Sequence, residues 1–249
     1  MKIDHLIAKR KNKIIYREGD KLIKLFNTDF SKADVLNEAL NHARVELTGL
    51  FIPRLHQVTT IEGQWALVFD FIEGEPLDVL MEKNPDKLAE YLDLFVKLQM
   101  EVHAHACDQL GTLRDKMYKK ILQADLDPTT RYNLHARLEG MPKHNRLCHG
   151  DFNPSNIIVT KDGLACIIDW AHATQGNASA DVARTYLLFC LHDQEQIANQ
   201  YLDLFCARSG TEKRYVQKWL PIVAASQSVK GNKEEREVLL HWAGVVEYV

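Results

Sequence analysis

The chain has 249 residues, enough to bury a full hydrophobic core in one large domain or in two closely joined lobes. Its hydrophobic share of 46% and charged share of 26% are those of an ordinary globular protein, which excludes a largely disordered chain. The formal net charge of −3 gives no reason to expect a partner selected by bulk electrostatics, such as a nucleic acid.

Cysteine usage and apolar patterning indicate a cytoplasmic protein. The five cysteines are scattered and form no C-x-x-C pair, which suits a reducing compartment better than a disulfide framework. Residues 1–13 are interrupted by charges and lack the apolar core of a signal peptide. The longest apolar runs, such as residues 186–191, are too short to span a bilayer, so we expect no membrane partner.

The first third of the chain is predicted to form strands and one helix. Two pairs of short segments are rich in β-branched and aromatic residues, with a glycine at the turn of each pair. Between the pairs, a capping-box-like sequence at Ser31 starts a helical apolar period that Gly49 ends. The predicted strands are residues 13–17, 21–26, 55–60 and 64–71.

Most of the chain after residue 72 is predicted to be helical. One β-like segment, residues 157–168, interrupts the helices. We therefore predict an α+β fold with a small antiparallel sheet and one helix in an N-terminal lobe, residues 1–72. The larger, mostly helical C-terminal lobe would comprise residues 73–249. Apolar residues recur at helical spacing in 88–102, 114–123, 130–138 and from residue 180 onwards.

The β-like segment is predicted to fold as a hairpin that creates a metal site. Residues 157–160 and 164–168 are strand-like, and Asp162-Gly163 between them is a strong signal for a two-residue hairpin loop. With that loop, Asn156 lies directly across from Asp169, and the two side chains share a face. One amide oxygen and one carboxylate suit Mg²⁺, so both residues are candidate metal ligands.

A second carboxylate close in sequence completes a catalytic arrangement. Asp151 lies five residues before Asn156, in a loop bent by Pro154, and can approach the same point without binding the metal. A carboxylate beside a metal-held phosphate can orient a substrate hydroxyl and accept its proton. The residues therefore predict phosphoryl transfer with Asp151 as the catalytic base.

The spacing H-G-D-x-x-x-x-N, followed by a hairpin that ends in I-I-D-W, resembles the aminoglycoside phosphotransferase and choline kinase superfamily, relatives of the protein kinases. The C-terminal helical stretch is similar to that of many short bacterial members. The resemblance implies a protein-kinase-like two-lobe fold, ATP and Mg²⁺ as cofactors, and a small-molecule hydroxyl as acceptor. It makes Asp151 the base and Asn156 and Asp169 the metal ligands. It also makes His149 a support of the loop and Asp181 its brace.

The resemblance further implies phosphate-binding residues in the N-terminal lobe. Lys24 occupies the place of the third-strand lysine that contacts the α- and β-phosphates in the superfamily. Glu38, on the next helix, is placed to hold that lysine. Glu46 is the weaker candidate for the same role.

The segment before Glu73 looks like the hinge at which members of the superfamily bind adenine. Binding there uses backbone N–H and C=O groups, which leave little side-chain signature. On this resemblance Phe69, Asp70 and Phe71 are the nucleotide-binding residues of the hinge.

The stretch that corresponds to the glycine-rich, phosphate-covering loop of many kinases departs from that pattern. Residues 6–13 contain no glycine, and side chains at Ala8 and Arg10 would limit close approach of the backbone to phosphate. A basic cluster could substitute by charge, or it could be a solvated basic turn. The cluster consists of Lys9, Arg10, Lys11 and Lys13.

Other interpretations of the polar residues have less support. His103 and His105 are two apart on a predicted helix and point to different faces, so we expect packing or surface residues rather than a metal pair. Cys148 has no base partner in the sequence pattern and is expected to be a buried apolar residue. A metallohydrolase would need further histidines at characteristic spacing. Its cluster would be His149, Asp151, Asp169 and His172.

The sequence favours an ATP- and Mg²⁺-dependent kinase acting on a hydroxyl of a small molecule. The alternative is a non-catalytic nucleotide-binding module on the same fold, which the glycine-free stretch favours and the catalytic residues oppose. The acceptor stays open among aminoglycosides, choline, sugars and other alcohols, and the oligomeric state stays open too. Carboxylates at Asp193, Glu195 and Asp203 could attract a cationic amine or belong to a solvated helix face.

Overall fold

The computed structural model describes residues 5–230 and 232–244. They divide into two compact units. The first unit contains the chain up to Pro85 together with Pro154–Ala173, and the second contains Asp86–Asn153 and the chain from Thr174 onwards. The predicted boundary between residues 72 and 73 lies inside the first unit, because strand Gly74–Pro76 pairs with the hairpin in Pro154–Ala173.

The described residues form ten strands and ten α-helices, each numbered in chain order. The strands are β1 (His5–Lys9), β2 (Lys13–Glu18), β3 (Lys21–Phe26), β4 (Leu55–Ile61), β5 (Gln64–Asp70), β6 (Gly74–Pro76), β7 (Arg146–Cys148), β8 (Ile157–Thr160), β9 (Ala165–Ile167) and β10 (Thr174–Gly176). The helices are α1 (Lys32–Glu46), α2 (Leu77–Lys83), α3 (Leu88–Ala104), α4 (Leu113–Gln123), α5 (Pro128–Gly140), α6 (Ala178–Leu191), α7 (Glu195–Ser209), α8 (Lys213–Gln217), α9 (Leu220–Gln227) and α10 (Lys233–Ala243).

The first unit is built on a five-stranded antiparallel sheet in the order β1-β2-β3-β5-β4. The predicted strand pairs are present, with ends within one residue of those expected from the sequence. Both residues of the β4–β5 turn have positive φ, 49° at Glu62 and 82° at Gly63. Two-residue hairpins of this kind require that conformation, and glycine adopts it without strain.

The N-terminal turn is shorter than the glycine-free stretch suggests. Ala8 lies within β1, opposite Ile15, and only residues 10–12 form the turn between β1 and β2. The Arg10 N–H closes it by donating to the Lys13 carbonyl over 2.8 Å. Ala8 is therefore a sheet residue and does not belong to the turn.

Helix α1 packs on the sheet through a face that the apolar spacing does not identify. Val35 and Ala39 join the core cluster around Phe69. Glu38 and His42 are buried on the same side because each has a hydrogen-bond partner inside the unit. The apolar residues whose spacing predicts the helix are exposed: Leu36, Leu40, Ala43 and Leu47.

The second unit is mainly helical, with β7 and β10 as a small antiparallel pair. Helix α3 buries the positions predicted from its 3.6-residue period, including Phe95 and Gln99. Phe95 lies in ring contact with Phe152, Phe189 and Tyr201 at centroid distances of 4.7, 5.9 and 5.6 Å. None of the helices described is long and apolar enough to cross a membrane.

Candidate active site

Lys24 lies on the central strand β3 and is almost fully buried in the first unit. Its ammonium donates to Glu38 Oε1 over 2.5 Å and to Asp169 Oδ1 over 3.1 Å. Burial alone would lower the pKa of Lys24, but the charges of Asp169 and Glu38 outweigh it and raise the pKa above its ordinary value. Glu46 does not compete for this lysine, since its Oε1 accepts the Leu55 N–H.

Asp169 is paired with a second lysine. Its Oδ2 lies 3.1 Å from Nζ of Lys13, while 29% of its side chain stays exposed. Burial opposes ionisation, but Lys24 and Lys13 hold the pKa of Asp169 well below its usual range, so the carboxylate is charged. Of the four basic residues predicted near the N-terminal turn, Lys13 reaches this site, whereas Lys9, Arg10 and Lys11 are exposed.

The hairpin that carries Asp169 has a register one residue away from the predicted one. Strands β8 and β9 are joined by a three-residue loop, residues 161–163, instead of the two-residue Asp162-Gly163 loop. Gly163 takes the left-handed conformation at φ 80°, as the last residue of such loops does. Ile157 therefore faces Ile167.

The changed register corrects the predicted pairing of the two metal-ligand candidates. Asn156 lies across from Ile168, whose N–H donates to the Asn156 carbonyl over 2.9 Å, so the prediction that it faces Asp169 is wrong. Asp169 is the next residue, and its backbone is left-handed, with φ 62° and ψ 63°. This uncommon conformation turns the chain immediately after the strand, where the carboxylate meets Lys24.

The predicted hinge residues do not offer their N–H groups to a nucleotide. The Asp70 N–H donates to the Arg54 carbonyl over 3.0 Å, and the Phe71 N–H donates to the Asp20 carbonyl over 2.8 Å. Phe69 is a buried sheet residue. The N–H groups of Asp70 and Phe71 are therefore already engaged, and the assignment of the three residues to adenine recognition stays a prediction.

The two residues that follow the predicted segment are better placed to offer backbone N–H groups to a ligand. Ile72 and Glu73 lie between β5 and β6, in no strand or helix, and within the described chain no hydrogen bond engages their N–H groups. Asp70 instead uses its carboxylate inside the unit, 3.1 Å from Lys21 Nζ and 2.5 Å from His56 Nε2. The N–H groups that have no hydrogen bond among the described residues therefore begin at Ile72, directly after the predicted segment.

In the second unit, Asp181 on α6 holds the loop that follows β7. Its Oδ2 accepts the His149 N–H over 3.0 Å, and its Oδ1 accepts the Gly150 N–H over 2.8 Å. Nε2 of His103 lies 3.1 Å from the same carboxylate. Burial favours the neutral acid, but the contact with His103 and these backbone donors hold the pKa of Asp181 below its ordinary value. These contacts are the ones expected of a residue that supports the loop before Asp151, the role predicted for Asp181.

The loop presents Asp151 between two anchored neighbours. The Asp151 N–H donates to Nδ1 of His149 over 3.2 Å, which gives that buried histidine its supporting contact. On the other side, the carbonyl of the buried Phe152 accepts the hydroxyl of Thr185 over 2.8 Å. The Asp151 carboxylate is 31% exposed and lies 3.5 Å from a guanidinium nitrogen of Arg184. A carboxylate that is fixed in position and accessible to solvent can accept a hydrogen bond from a substrate hydroxyl.

The structure thus gathers the predicted residues into two groups. Lys24, Glu38 and Asp169 form one group in the first unit, with Asn156 bonded to the residue before Asp169. Asp151 belongs to the second unit. Within the described residues no set of three or more His, Cys, Asp or Glu side chains could hold a metal ion, which gives the metallohydrolase interpretation no support.

Two contacts around the Asp151 loop were not predicted from the sequence. Arg184 lies three residues after Asp181, one helical turn along α6, and that spacing is a signal that could have revealed it. His103 is buried, as expected of a packing residue, but its contact with the Asp181 carboxylate was not predicted. Cys148 is buried as expected, and burial raises the pKa of its thiol well above the ordinary value, which opposes a nucleophilic role.

Comparison with known proteins identifies relatives of this arrangement. The model of the APH family, described as a phosphotransferase enzyme family, matches residues 10–219. No curated protein matches the sequence.

Solved structures share the fold at low sequence identity. A thermostable mutant of the aminoglycoside phosphotransferase APH(4)-Ia has a TM-score of 0.71 at 16% identity, covering 95% of this chain and 91% of that one. A variant of that protein was solved as a ternary complex with AMP-PNP and hygromycin B, with a TM-score of 0.70, 16% identity and coverage of 95% and 90%. The choline kinase LicA from Streptococcus pneumoniae has a TM-score of 0.64 at 14% identity, with coverage of 96% and 93%. The predicted α+β, kinase-like fold is confirmed.

Proposed function

Because the chain belongs to the phosphotransferase enzyme family, we propose that it is an ATP- and Mg²⁺-dependent kinase that transfers the γ-phosphate to a hydroxyl of a small molecule. The observation that carries the proposal is the buried contact of Lys24 with Glu38 and Asp169. Kinases need a strand lysine held by a helix glutamate, together with an aspartate for the metal, before they can position a triphosphate. Relatives crystallised with AMP-PNP and hygromycin B are consistent with this assignment.

The first unit would hold the nucleotide. Lys24 would contact the α- and β-phosphates, and Glu38 would keep its side chain in place. The backbone of Ile72 and Glu73 would bind the base, since their N–H groups are not engaged within the described residues. Lys13, the first residue of β2, would supply positive charge in place of the close backbone approach of a glycine-rich turn.

The residues at the end of the hairpin fit a magnesium ion that arrives with the nucleotide. Mg²⁺ usually binds one or two protein carboxylates and takes its other ligands from phosphate and water. Asp169 supplies an ionised carboxylate and Asn156 an amide oxygen, and a cluster of three acidic residues is not needed. When bound, the ion would neutralise charge on the phosphates.

Asp151 would act on the acceptor. Its carboxylate would accept a hydrogen bond from the acceptor hydroxyl, orient the oxygen and take its proton as the new O–P bond forms. The bond from the γ-phosphorus to ADP breaks in the same transfer. Asp181 and His149 would position Asp151 through the backbone contacts described above. The five free cysteines support a cytoplasmic location for this enzyme.

Substitution of the base tests the proposal. Asp151→Asn should lower acceptor-dependent ADP release by about 10²–10⁴-fold, because the proton acceptor is lost. The rise in melting temperature caused by Mg·ATP should persist, since the nucleotide contacts lie in the other unit. Asp162→Asn, in the exposed hairpin loop, is the matched control and should leave turnover unchanged.

Equal turnover in wild type and Asp151→Asn would refute the assignment of the base. Stabilisation by Mg·ATP without turnover on any alcohol in a broad acceptor screen would favour the non-catalytic nucleotide-binding module instead. The observation that favours this second candidate is the lack of glycine in the turn at residues 10–12.

A further inference from the structure

A group of basic side chains lies near Asp151 in the second unit, and the mechanism above leaves most of it unused. Arg184 on α6 contacts Asp151 directly. Helix α6 packs against α9, and α9 packs against α4, so the three helices bring further cations to the same region. The group, called here the basic cluster, consists of Lys116, Lys120, Arg184 and Lys230.

The two lysines of α4 that belong to the basic cluster are more buried than is usual for lysine side chains. Lys116 and Lys120 are one turn apart and share a face of the helix. Both are half-buried, whereas Lys119 between them is exposed. Burial and the neighbouring cations lower the pKa of Lys116 to about 8 and that of Lys120 to about 7. Helix α4 therefore places two lysine amines in surroundings that disfavour their charged form.

The carboxylates in this region are already engaged. Asp151 is the proposed base, and Asp181 accepts hydrogen bonds from the loop backbone. Glu235, the third carboxylate that acts on Arg184, accepts a hydrogen bond from Asn232 at the start of α10. Asp151 pairs with Arg184 itself, while Asp181 and Glu235 accept hydrogen bonds from groups outside the basic cluster, so the basic side chains outnumber the carboxylates that act on them.

Two groups of the basic cluster lack partners. Nε of Arg184 is buried and makes no hydrogen bond to any residue described. Lys120 forms no ion pair or hydrogen bond within the described ranges 5–230 and 232–244. A buried donor without an acceptor is costly, and an anionic ligand would supply the missing acceptor.

The carboxylates that the sequence offered as a possible site for a cationic amine are exposed to solvent. Asp193 and Glu195 are exposed at the α6–α7 connection. Asp203 is 62% exposed and lies 2.5 Å from Nζ of Lys213. They are exposed to solvent, which is the solvated helix face that the sequence favoured for them.

We infer that the acceptor of this kinase is an anionic hydroxyl compound, whose carboxylate or phosphate group is bound by Lys116, Lys120 and Arg184 while its hydroxyl meets Asp151. The inference rests on the proposed function for the hydroxyl, but binding of the anion can be measured without turnover. Cationic acceptors such as amino sugars and choline would be repelled by the same side chains.

Anion binding is tested on the full chain saturated with Mg·AMP-PNP, so that the nucleotide site is filled. Inorganic phosphate and malonate serve as phosphate-type and carboxylate-type probes, each compared with sodium chloride at equal ionic strength. At least one probe should raise the melting temperature of wild type and of Lys119→Gln, and its apparent Kd should rise at least about tenfold in Lys120→Gln. Lys120→Arg keeps the charge and should keep the response.

The proton balance gives an independent readout. An anion bound at neutral Lys120 favours its charged form, so titration calorimetry near pH 7.5 in buffers of different ionisation enthalpy should show proton uptake by wild type and little by Lys120→Gln. An equal response of wild type, Lys119→Gln and Lys120→Gln to both probes would overturn the inference, as would the absence of any response. Failure of this test with Asp151-dependent turnover intact would refute the anionic acceptor and leave the kinase assignment standing.

Discussion

Lys24 is a charged side chain that the first unit keeps almost entirely away from water. Removing an ammonium from water costs several kcal/mol, and the structure offsets that cost with two carboxylates at 2.5 and 3.1 Å. Apolar residues would fill the same space at lower cost, which supports the proposal that the arrangement binds phosphate.

Loss of this lysine should destabilise the protein measurably. Lys24→Met leaves Glu38 and Asp169 close to each other without their shared cation, which should lower the free energy of unfolding by about 3 kcal/mol. Urea denaturation measures the change, with Lys11→Met on the exposed turn as the control. A shift as small as that of the control would mean that the two carboxylates do not depend on Lys24.

The depressed pKa of Lys120 predicts a pH-dependent stability. Its folded-state pKa of about 7 lies below the ordinary 10.5, so the unfolded chain binds more protons than the folded one between these values. The cost of the buried charge is therefore full below about pH 7 and disappears towards about pH 10.5. Lys120→Met should be more stable than wild type near pH 6.5, and the gap should narrow as the pH rises.

Urea midpoints at several pH values test this expectation, with Lys119→Met as the matched exposed control. A gap between Lys120→Met and wild type that does not change between about pH 6.5 and about pH 10 would contradict a depressed pKa at this lysine.

At the scale of elements, the hairpin β8–β9 shows how far the sequence could be interpreted. Its two strands and its glycine turn follow from β-branched residues and from Asp162-Gly163. The loop length does not, because an Asp-Gly pair suits both a two-residue loop and a three-residue loop that ends in a left-handed glycine. The one additional loop residue shifts the register of the strands, so Asn156 lies across from Ile168 and not from Asp169.

The left-handed glycine of this hairpin is open to a simple test. Gly163 has φ 80° and no atom within 4 Å of an added Cβ, so Gly163→Ala introduces backbone strain without a clash. The substitution should lower the free energy of unfolding by about 1 kcal/mol. Gly111→Ala, where the space is also open and φ is not positive, is the control for thermal unfolding. Equal stability of the two variants would contradict the left-handed conformation of Gly163.

Helix α1 shows a second limit at the same scale. Its apolar period correctly located a helix, but the buried face carries Glu38, Asn41 and His42, which bond Lys24, Ala171 and Pro53. Such partners come from segments distant in sequence, so a local pattern cannot reveal them. For the same reason the sequence placed Lys13 in a basic cluster but could not show that it pairs with Asp169.

At the scale of the whole molecule, the chain divides its chemistry between two units. The first unit carries the groups proposed to bind the nucleotide, and the second carries the proposed base and the basic cluster. Fold and reaction class could be predicted because the H-G-D-x-x-x-x-N spacing reports a geometry that kinases require. The acceptor could not, since relatives of 14–16% identity share the fold while their substrates depend on local side chains.

The most direct test of the central claim is transfer of label from [γ-³²P]ATP to a small alcohol. Wild type incubated with Mg²⁺ and a library of neutral, cationic and anionic hydroxyl compounds should move label into an organic phosphate ester, and Asp151→Asn should reduce that transfer at least about a hundredfold. Label that stays in ATP with every acceptor, or that moves equally fast in wild type and Asp151→Asn, would contradict the account.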